Sequence, residues 1–363
     1  MLTILSFIVV LGIIVFFHEL GHFLAAKSVG IRVEQFSLGY PPKMISVKYG
    51  ETDYRISWIP LGGYTKMSGM IDESDGGKST LTGAPWEFAS KNPLQKLWVI
   101  VAGVLMNFVL AMLLYTGITA VKGIPEPSSA AFIGGVAPGM PADMAGLQVG
   151  DCITGIGGEA VGTWDELIDG IHPRVEEEIL VSYEREGKAA HVTLTTKRHE
   201  IEVNGEWQEV GLIGISARFD FRPATVEEVL LSGVVGTVRV IGLVGGSIKM
   251  LVTGRASVKD LGGPVLIAKM SGDSAREGAA HFLSFIAFIS VNIGCLNLLP
   301  IPALDGGHAV IILGEAIIRR ELPTKIKLGL QYAGMLFLMC LILFIVWNDV
   351  QRVFGLEWIK GLF

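Results

Sequence analysis

Three ionisable side chains stand at the end of an uncharged run. His18, Glu19 and His22, in "FFHELGHFLAAK" (16–27), follow sixteen residues, Leu2 to Phe17, that carry no charge. The spacing is H-E-x-x-H. On a helix, residues four apart share a face, so His18 and His22 can offer two imidazole nitrogens to one metal ion. Glu19 then stands beside the first ligand, where it can take a proton from a water and return it to a leaving amine. The pattern fixes only three positions, and a helix reaching the membrane interface could carry His and Glu idly. Phe23 to Ala26 continue apolar past His22. A charge there costs about 2.5–3.5 kcal/mol on insertion scales, which favours a working site.

A catalytic zinc takes three protein ligands and keeps one position open. The missing ligand is sought in "NLLPIPALDGGH" (297–308), where Asp305 and His308 are the only ionisable groups. Asp305 is the expected third ligand, with His308 as its replacement or as a supporting group. Pro300 and Pro302 interrupt the helix there, and Gly306-Gly307 permit close approach. Asn297 is a candidate hydrogen-bond partner for a substrate backbone or oxyanion; alternatively it makes a polar contact between helices.

The elements that must position these groups are apolar. Half of the 363 residues are hydrophobic and 18% are charged, against about a quarter in soluble domains. The mean hydropathy is +0.52. Four apolar stretches, about 2–26, 97–121, 282–318 and 330–347, meet the roughly 20 residues that a membrane helix needs. The first reads as a retained helix, because no Lys or Arg precedes it and no small-residue cleavage site follows it. The segment 225–254 has apolar positions at helical spacing with Glu227, Glu228, Arg239 and Lys249. It reads as an amphipathic helix on the membrane surface, with a fifth span as the competing reading. Lys and Arg crowd 27–96 and 319–327, which makes both loops cytoplasmic and puts the termini and 122–280 on the other face. The first and third spans then bring the two halves of the site to similar depth. The net charge of −6 and the absence of a basic stripe argue against nucleic acid. The three cysteines, Cys152, Cys295 and Cys340, have no metal-type spacing and read as unpaired.

Two further regions have their own pattern. Residues 33–67 alternate β-branched and aromatic residues between Gly-Pro-type turns, which predicts strands and hairpins. "IPLGGY" can dip into the bilayer or belong to a small cytoplasmic sheet. Residues 125–200 read as a soluble α+β module, with strand-like "EILVSYER" and "AHVTLTT" and a "WDELIDGI" helix.

With these stretches in view, the chain resembles the site-2 protease family of intramembrane zinc metalloproteases, in particular the bacterial branch acting on membrane-anchored anti-sigma factors. "HELGH" (18–22), "LGGYTKM" (61–67), "AGVLMNFVLA" (102–111) and "NLLPIPALDGGH" (297–308) carry the resemblance, which covers nearly the whole chain. It implies a polytopic α-helical membrane protein of about four transmembrane helices with a membrane-associated β-hairpin region. It implies zinc on His18, His22 and Asp305, catalysis by Glu19, and substrate held by Asn297 and by the hairpin at Gly62, Gly63 and Tyr64. An unwound substrate would pair with that hairpin as an added strand. Residues 133–196, with "GGVAPGMPADMAGLQVGDCITGIGGEAV", look like one inserted PDZ domain whose Gly134-Gly135-Val136 turn and strand would form a peptide groove. Many relatives carry two such domains. "LGYPP" (38–42) replaces a common Gly-Phe-Gly-Pro, and Val104 stands where Pro commonly follows Gly103.

The expected layout is a first helix over 1–26, a cytoplasmic or membrane-dipping β region over 27–96, and a second helix over 97–121. The PDZ domain follows over 125–200, then a linker with the surface helix over 201–280, a third helix over 281–318, and a fourth helix with its tail over 319–363. The expected substrates are single-pass membrane proteins, anti-sigma-factor-like proteins or signal-peptide remnants, already trimmed by another protease. The expected place is the bacterial inner membrane, with the site towards the cytoplasm and the PDZ domain outside. A non-catalytic PDZ adaptor with a vestigial metal site, and a metal transporter, are the competing functions. The presence of every ligand speaks against the first, and the lack of internal repeats against the second.

Overall fold

The computed structural model describes residues 1–70, 82–203, 206–257 and 261–354. It divides into two units, Met1–Val121 with Thr225–Phe363, and Lys122–Ala224.

The first unit begins with α1 (Leu2–Ser28), about 40 Å long at 1.5 Å per residue. Its buried residues, Ser6, Val10, Ile14, His22 and Ala25 among them, recur at helical spacing on one stripe. The packing face and the ligand face of α1 are therefore the same. The chain then forms β1 (Val33–Tyr49) and β2 (Thr52–Met67). Both bend and pair more than once: Gln35–Leu38 lies against Lys66–Gly63 on one side and Asp53–Ile56 on the other, and Asp53–Ile56 also pairs with Lys48–Ile45. Gly63–Lys66 is thus an outer strand, with no second strand partner among the described residues. Phe36 packs with Phe16 and Phe23 of α1 and with Tyr54, which seats this sheet on the helix.

α2 (Pro93–Lys122) follows. Asn92 accepts the Gln95 N–H at 2.9 Å, and Pro93, which has no N–H to leave unpaired, stands at the first helical position. In the second unit, β3 (Ile124–Pro127), β4 (Ile133–Val136), α3 (Pro141–Met144), β5 (Cys152–Ile156), β6 (Glu159–Ala160), α4 (Trp164–Ile171), β7 (Glu178–Arg185), β8 (Lys188–Thr195), β9 (Lys197–Val203), β10 (Glu206–Leu212), β11 (Ile215–Ala217) and β12 (Phe219–Arg222) succeed one another. A four-stranded sheet runs β6-β5-β7-β8, while β11 returns to β4 and β12 to β3. The expected linker from residue 201 is therefore, as far as Arg222, the closing part of this unit. The apolar core gathers Ile133, Ile153, Ile156, Leu167, Val181 and Ile213. Asp151, 1% exposed, is gripped by two Arg185 nitrogens at 2.7 Å.

Back in the first unit, α5 (Val226–Val252) opens with a Thr225–Glu228 capping box. It runs antiparallel to α2: Gly233 meets Met112 and Thr116, Gly236 meets Tyr115, and Val240 and Val244 cluster with Ala111. By length and composition α5 can cross a membrane, as can α1, α2, α7 (Ala279–Asn297) and residues Thr324–Gln351 of α9 (Thr324–Phe354), giving five such helices among the described residues. Between α5 and α7 lies α6 (Pro264–Glu277), which runs back along α1, with Ile267 in the Val10–Ile14 cluster and Gly272 and Arg276 at Thr3. Asp349 of α9, buried, accepts the Gly263 and Leu266 N–H groups at the start of α6. α7 then starts near the N-terminal end of α1 and runs in the same sense. The third apolar stretch is not one helix. α7 ends at Asn297, and α8 (Asp305–Ile318) begins after a loop holding Pro300 and Pro302.

Candidate metal centre

Four helices deliver the site. His18 and His22 lie one turn apart on the buried stripe of α1, with their Nε2 atoms 3.2 Å apart. Asp305, the first residue of α8, brings Oδ2 to 3.2 Å from His18 Nε2 and 3.5 Å from His22 Nε2. The sequence there explains how it arrives. Proline removes an N–H and stops α7 from continuing. A Cβ on Gly306 would lie 2.3 Å from the Leu298 and Leu299 oxygens, and one on Gly307 2.3 Å from the Ile301 oxygen. Only glycines let α8 start so tightly on its own loop. Ala303, at φ 93°, holds backbone strain two residues before the ligand.

These three atoms fit a zinc ion. Tetrahedral ligands at roughly 2.0–2.1 Å from zinc are about 3.3 Å from one another, and the observed separations are 3.2, 3.2 and 3.5 Å. His22 Nδ1 donates to the Val99 carbonyl of α2 at 2.8 Å, which turns the lone pair of Nε2 towards the other two ligands. Asp305 Oδ2 is buried and accepts no hydrogen bond among the described residues. Converging lone pairs without a proton between them call for a cation. Among the described residues these are the one group of three or more His, Cys, Asp or Glu side chains brought together in this way.

A cavity of about 440 Å³ opens on this cluster. Glu19 lines it beside the ligands, and so do Gly63, Tyr64 and Thr65 of the outer strand. Thr65 Oγ1 donates to the Glu19 carbonyl at 3.2 Å. Gly63 is held between β1 and α1: a Cβ would meet the Ser37 oxygen of β1 at 2.7 Å and, on α1, Val15 Cγ1 at 3.2 Å and Glu19 Cγ at 3.3 Å; at Gly62 the ring of Tyr40 would be 2.3 Å away. Tyr64 donates to Gln35 Oε1 at 3.0 Å. Asn297 Nδ2 sits 3.5 Å from His18 Nε2. His308 lines the cavity opposite Gln331, 3.3 Å from its Nε2, and stands outside the three-ligand group.

The role of α2 is new relative to the sequence reading. A Cβ on Gly103 would lie 2.4 Å from His22 Nε2 and 2.9 Å from His18 Cε1, and one on Gly21 would lie 2.2 Å from the Ala102 oxygen. The two glycines let α1 and α2 meet backbone to backbone under the imidazoles. Asn107, fully buried, faces His18 Nδ1 at 3.3 Å. A polar residue in an apolar run was the available signal, the same one that drew attention to Asn297.

The second unit has a cleft of its own, between α4 and Leu212–Ile215, lined by Trp164, Leu167, Ile168 and Ile171. Gly134, Gly135 and Val136 form β4, pair with β11, and do not line it. The strand beside α4 in this cleft arrives from the far end of the unit.

Comparison with known proteins gives the same direction. The model of peptidase family M50 matches residues 6–341. A Clostridium acetobutylicum protein, whose name provisionally makes it a zinc metalloprotease, is 35% identical over 344 residues, 94% of this chain and 96% of that one. The regulator of sigma-W protease RasP of Bacillus subtilis is 29% identical over 425 residues, covering 97% and 99%. Among solved structures, the PDZ domain of an SdrC-like protein from Listeria monocytogenes matches 26% of this chain and 93% of that one at 26% identity, with a TM-score of 0.20. A score that low carries no fold argument, so the PDZ reading of the second unit rests on its own strands and cleft.

Proposed function

The chain belongs to peptidase family M50 and is a zinc metalloprotease of a multi-pass membrane type, and from that premise we propose that it cuts peptide bonds inside the membrane segments of other proteins. The observation that carries this reading is the triangle of His18 Nε2, His22 Nε2 and Asp305 Oδ2, sized for zinc and set among membrane-length helices.

His18, His22 and Asp305 would hold the ion, leaving the cavity side for water and substrate. Held there, a zinc ion would supply Lewis-acid polarisation of the scissile carbonyl and a water acidic near neutral pH. Glu19, on the same cavity wall, takes the proton from the attacking water and passes it to the departing amine nitrogen. The Asn297 amide, 3.5 Å from His18 Nε2, would donate to the substrate's carbonyl oxygen in this reading. Gly63 to Lys66 offer a strand edge beside the ligands. A substrate helix that unwinds can pair its backbone there without sequence demands, since main-chain hydrogen bonds do not read side chains. Met67, Ile100, Met335 and Leu338 add apolar surface to the cavity wall, and a lower local dielectric strengthens the electrostatic contacts beside it.

Its substrates, in this reading, are single-pass membrane proteins of the anti-sigma-factor kind or signal-peptide remnants, shortened beforehand by another protease. The regulatory name of the Bacillus relative supports that class. The second unit acts as a PDZ domain that filters or docks them outside. The protein sits in the bacterial inner membrane with the metal towards the cytoplasm, as the Lys and Arg of 27–96 and 319–327 favour. The test is Glu19→Gln. It keeps zinc and stops cleavage of a model membrane substrate in vesicles; undiminished cleavage by the variant overturns the reading.

A further inference from the structure

We propose that Asn107 of α2 is the residue that positions His18, doing for that ligand what the Val99 carbonyl does for His22. The inference rests on the metal reading above and adds a residue to it.

The two histidines have matching surroundings. Each points Nε2 into the cluster and Nδ1 at α2. His22 Nδ1 donates to the Val99 oxygen at 2.8 Å. His18 Nδ1 lies 3.3 Å from the Asn107 amide, eight residues further along the same helix. Eight residues span about 12 Å, a little over two turns, so both partners face α1. A metal-ligating imidazole must carry its proton on the other nitrogen, and that N–H needs an acceptor. For His22 the acceptor is backbone and cannot be lost by substitution. For His18 it must be a side chain, and Asn107 is in position.

Asn107 is fully buried, and its Oδ1 has no hydrogen-bond partner among the described residues. As placed, Nδ2 faces His18 Nδ1. That pairing suits only a tautomer with its proton on Nε2, which a metal on Nε2 would displace. Turning the amide half a revolution about its last bond presents Oδ1 to His18 Nδ1–H, the tautomer a metal requires. An amide can serve both states, which a leucine cannot. Ser290 of α7 holds the backbone at this point, donating to the Asn107 carbonyl at 2.9 Å. The side chain is therefore left for His18.

The experiment uses full-length protein in detergent, stripped of zinc and titrated with zinc against a chromophoric chelator. Asn107→Leu, close in size but without an acceptor, is expected to bind zinc about 10–100-fold more weakly than the parent. Asn107→Asp, which accepts but cannot donate, is expected to restore affinity close to the parent's. In a His18→Ala background Asn107→Leu should cost no further affinity. Leucine binding as tightly as the parent, or aspartate binding as weakly as leucine, overturns the proposal. Should the leucine variant not fold, Asn107→Ala is read by the same titration. A parent that takes up no zinc defeats the metal reading itself, an outcome separate from these.

Discussion

The metal cluster of the first unit and the cleft of the second are built from different materials. At the cluster, His18, His22 and Asp305 converge from two helices, and each imidazole is backed by a polar atom of α2. In the cleft, Trp164, Leu167, Ile168 and Ile171 of α4 face backbone at Leu212–Ile215. One site is specified by side-chain atoms at fixed distances, the other by an apolar helix face beside a strand. The first tolerates little change in position, because a shift of about 1 Å can cost on the order of 100-fold in rate. The second should tolerate substitutions that keep it apolar.

Four substitutions would break or sharpen that contrast. Asp305→Ala has the largest expected effect, with cleavage falling to background and zinc lost on gel filtration, while the helical circular dichroism stays. Gly103→Ala comes next. Its methyl group would occupy space 2.4 Å from His22 Nε2, so turnover should fall about 100-fold, with weaker zinc retention in a chelator assay. Arg185→Met acts on the second unit alone. It leaves Asp151 buried without its partner and should lower the thermal unfolding midpoint of that unit, with zinc binding unchanged.

The same pair sets a pH dependence. Burial alone would raise the Asp151 carboxyl, but the Arg185 hydrogen bonds and the Gln148 N–H outweigh it and hold the group below the usual carboxylate range. Its stabilisation is complete above the unfolded carboxylate pKa of about 3.9, and is lost as the pH falls through the lower folded value. The parent's second unit should therefore weaken steeply only in strong acid, and Arg185→Met should shift that loss to higher pH. The smallest effect is expected for Ile168→Ser, at the cleft. It should leave zinc content and cleavage of a short membrane peptide unchanged and alter only the handling of substrates with an outer tail, measured by competition with such peptides.

What the sequence made legible follows the same division. The cluster of His18, His22 and Asp305 was readable because helical spacing puts the two histidines on one face and Asp305 is one of only two ionisable groups in its stretch. The break between α7 and α8 was readable from Pro300 and Pro302. Gly103 was not readable as a contact, since nothing local says which helix passes over it. α6 was hidden for a related reason. Its N-terminus is satisfied by Asp349, more than eighty residues away, and its apolar positions face α1 and α9 rather than one solvent-exposed surface. α5 read as a surface helix because Arg239 interrupts its apolar run, whereas its packing on α2 depends on Gly233 and Gly236. β11 and β12 were missed because their partners, β4 and β3, precede them by about eighty residues or more.

In this reading His18 Nε2, His22 Nε2 and Asp305 Oδ2 hold the zinc. X-ray absorption at the zinc edge, on full-length protein purified without added metal, tests it most directly. The expected spectrum shows one zinc with two imidazoles and oxygen donors at about 2.0–2.2 Å, and one imidazole fewer in His22→Ala. A sulfur donor, or a parent spectrum with fewer than two imidazoles, would contradict it.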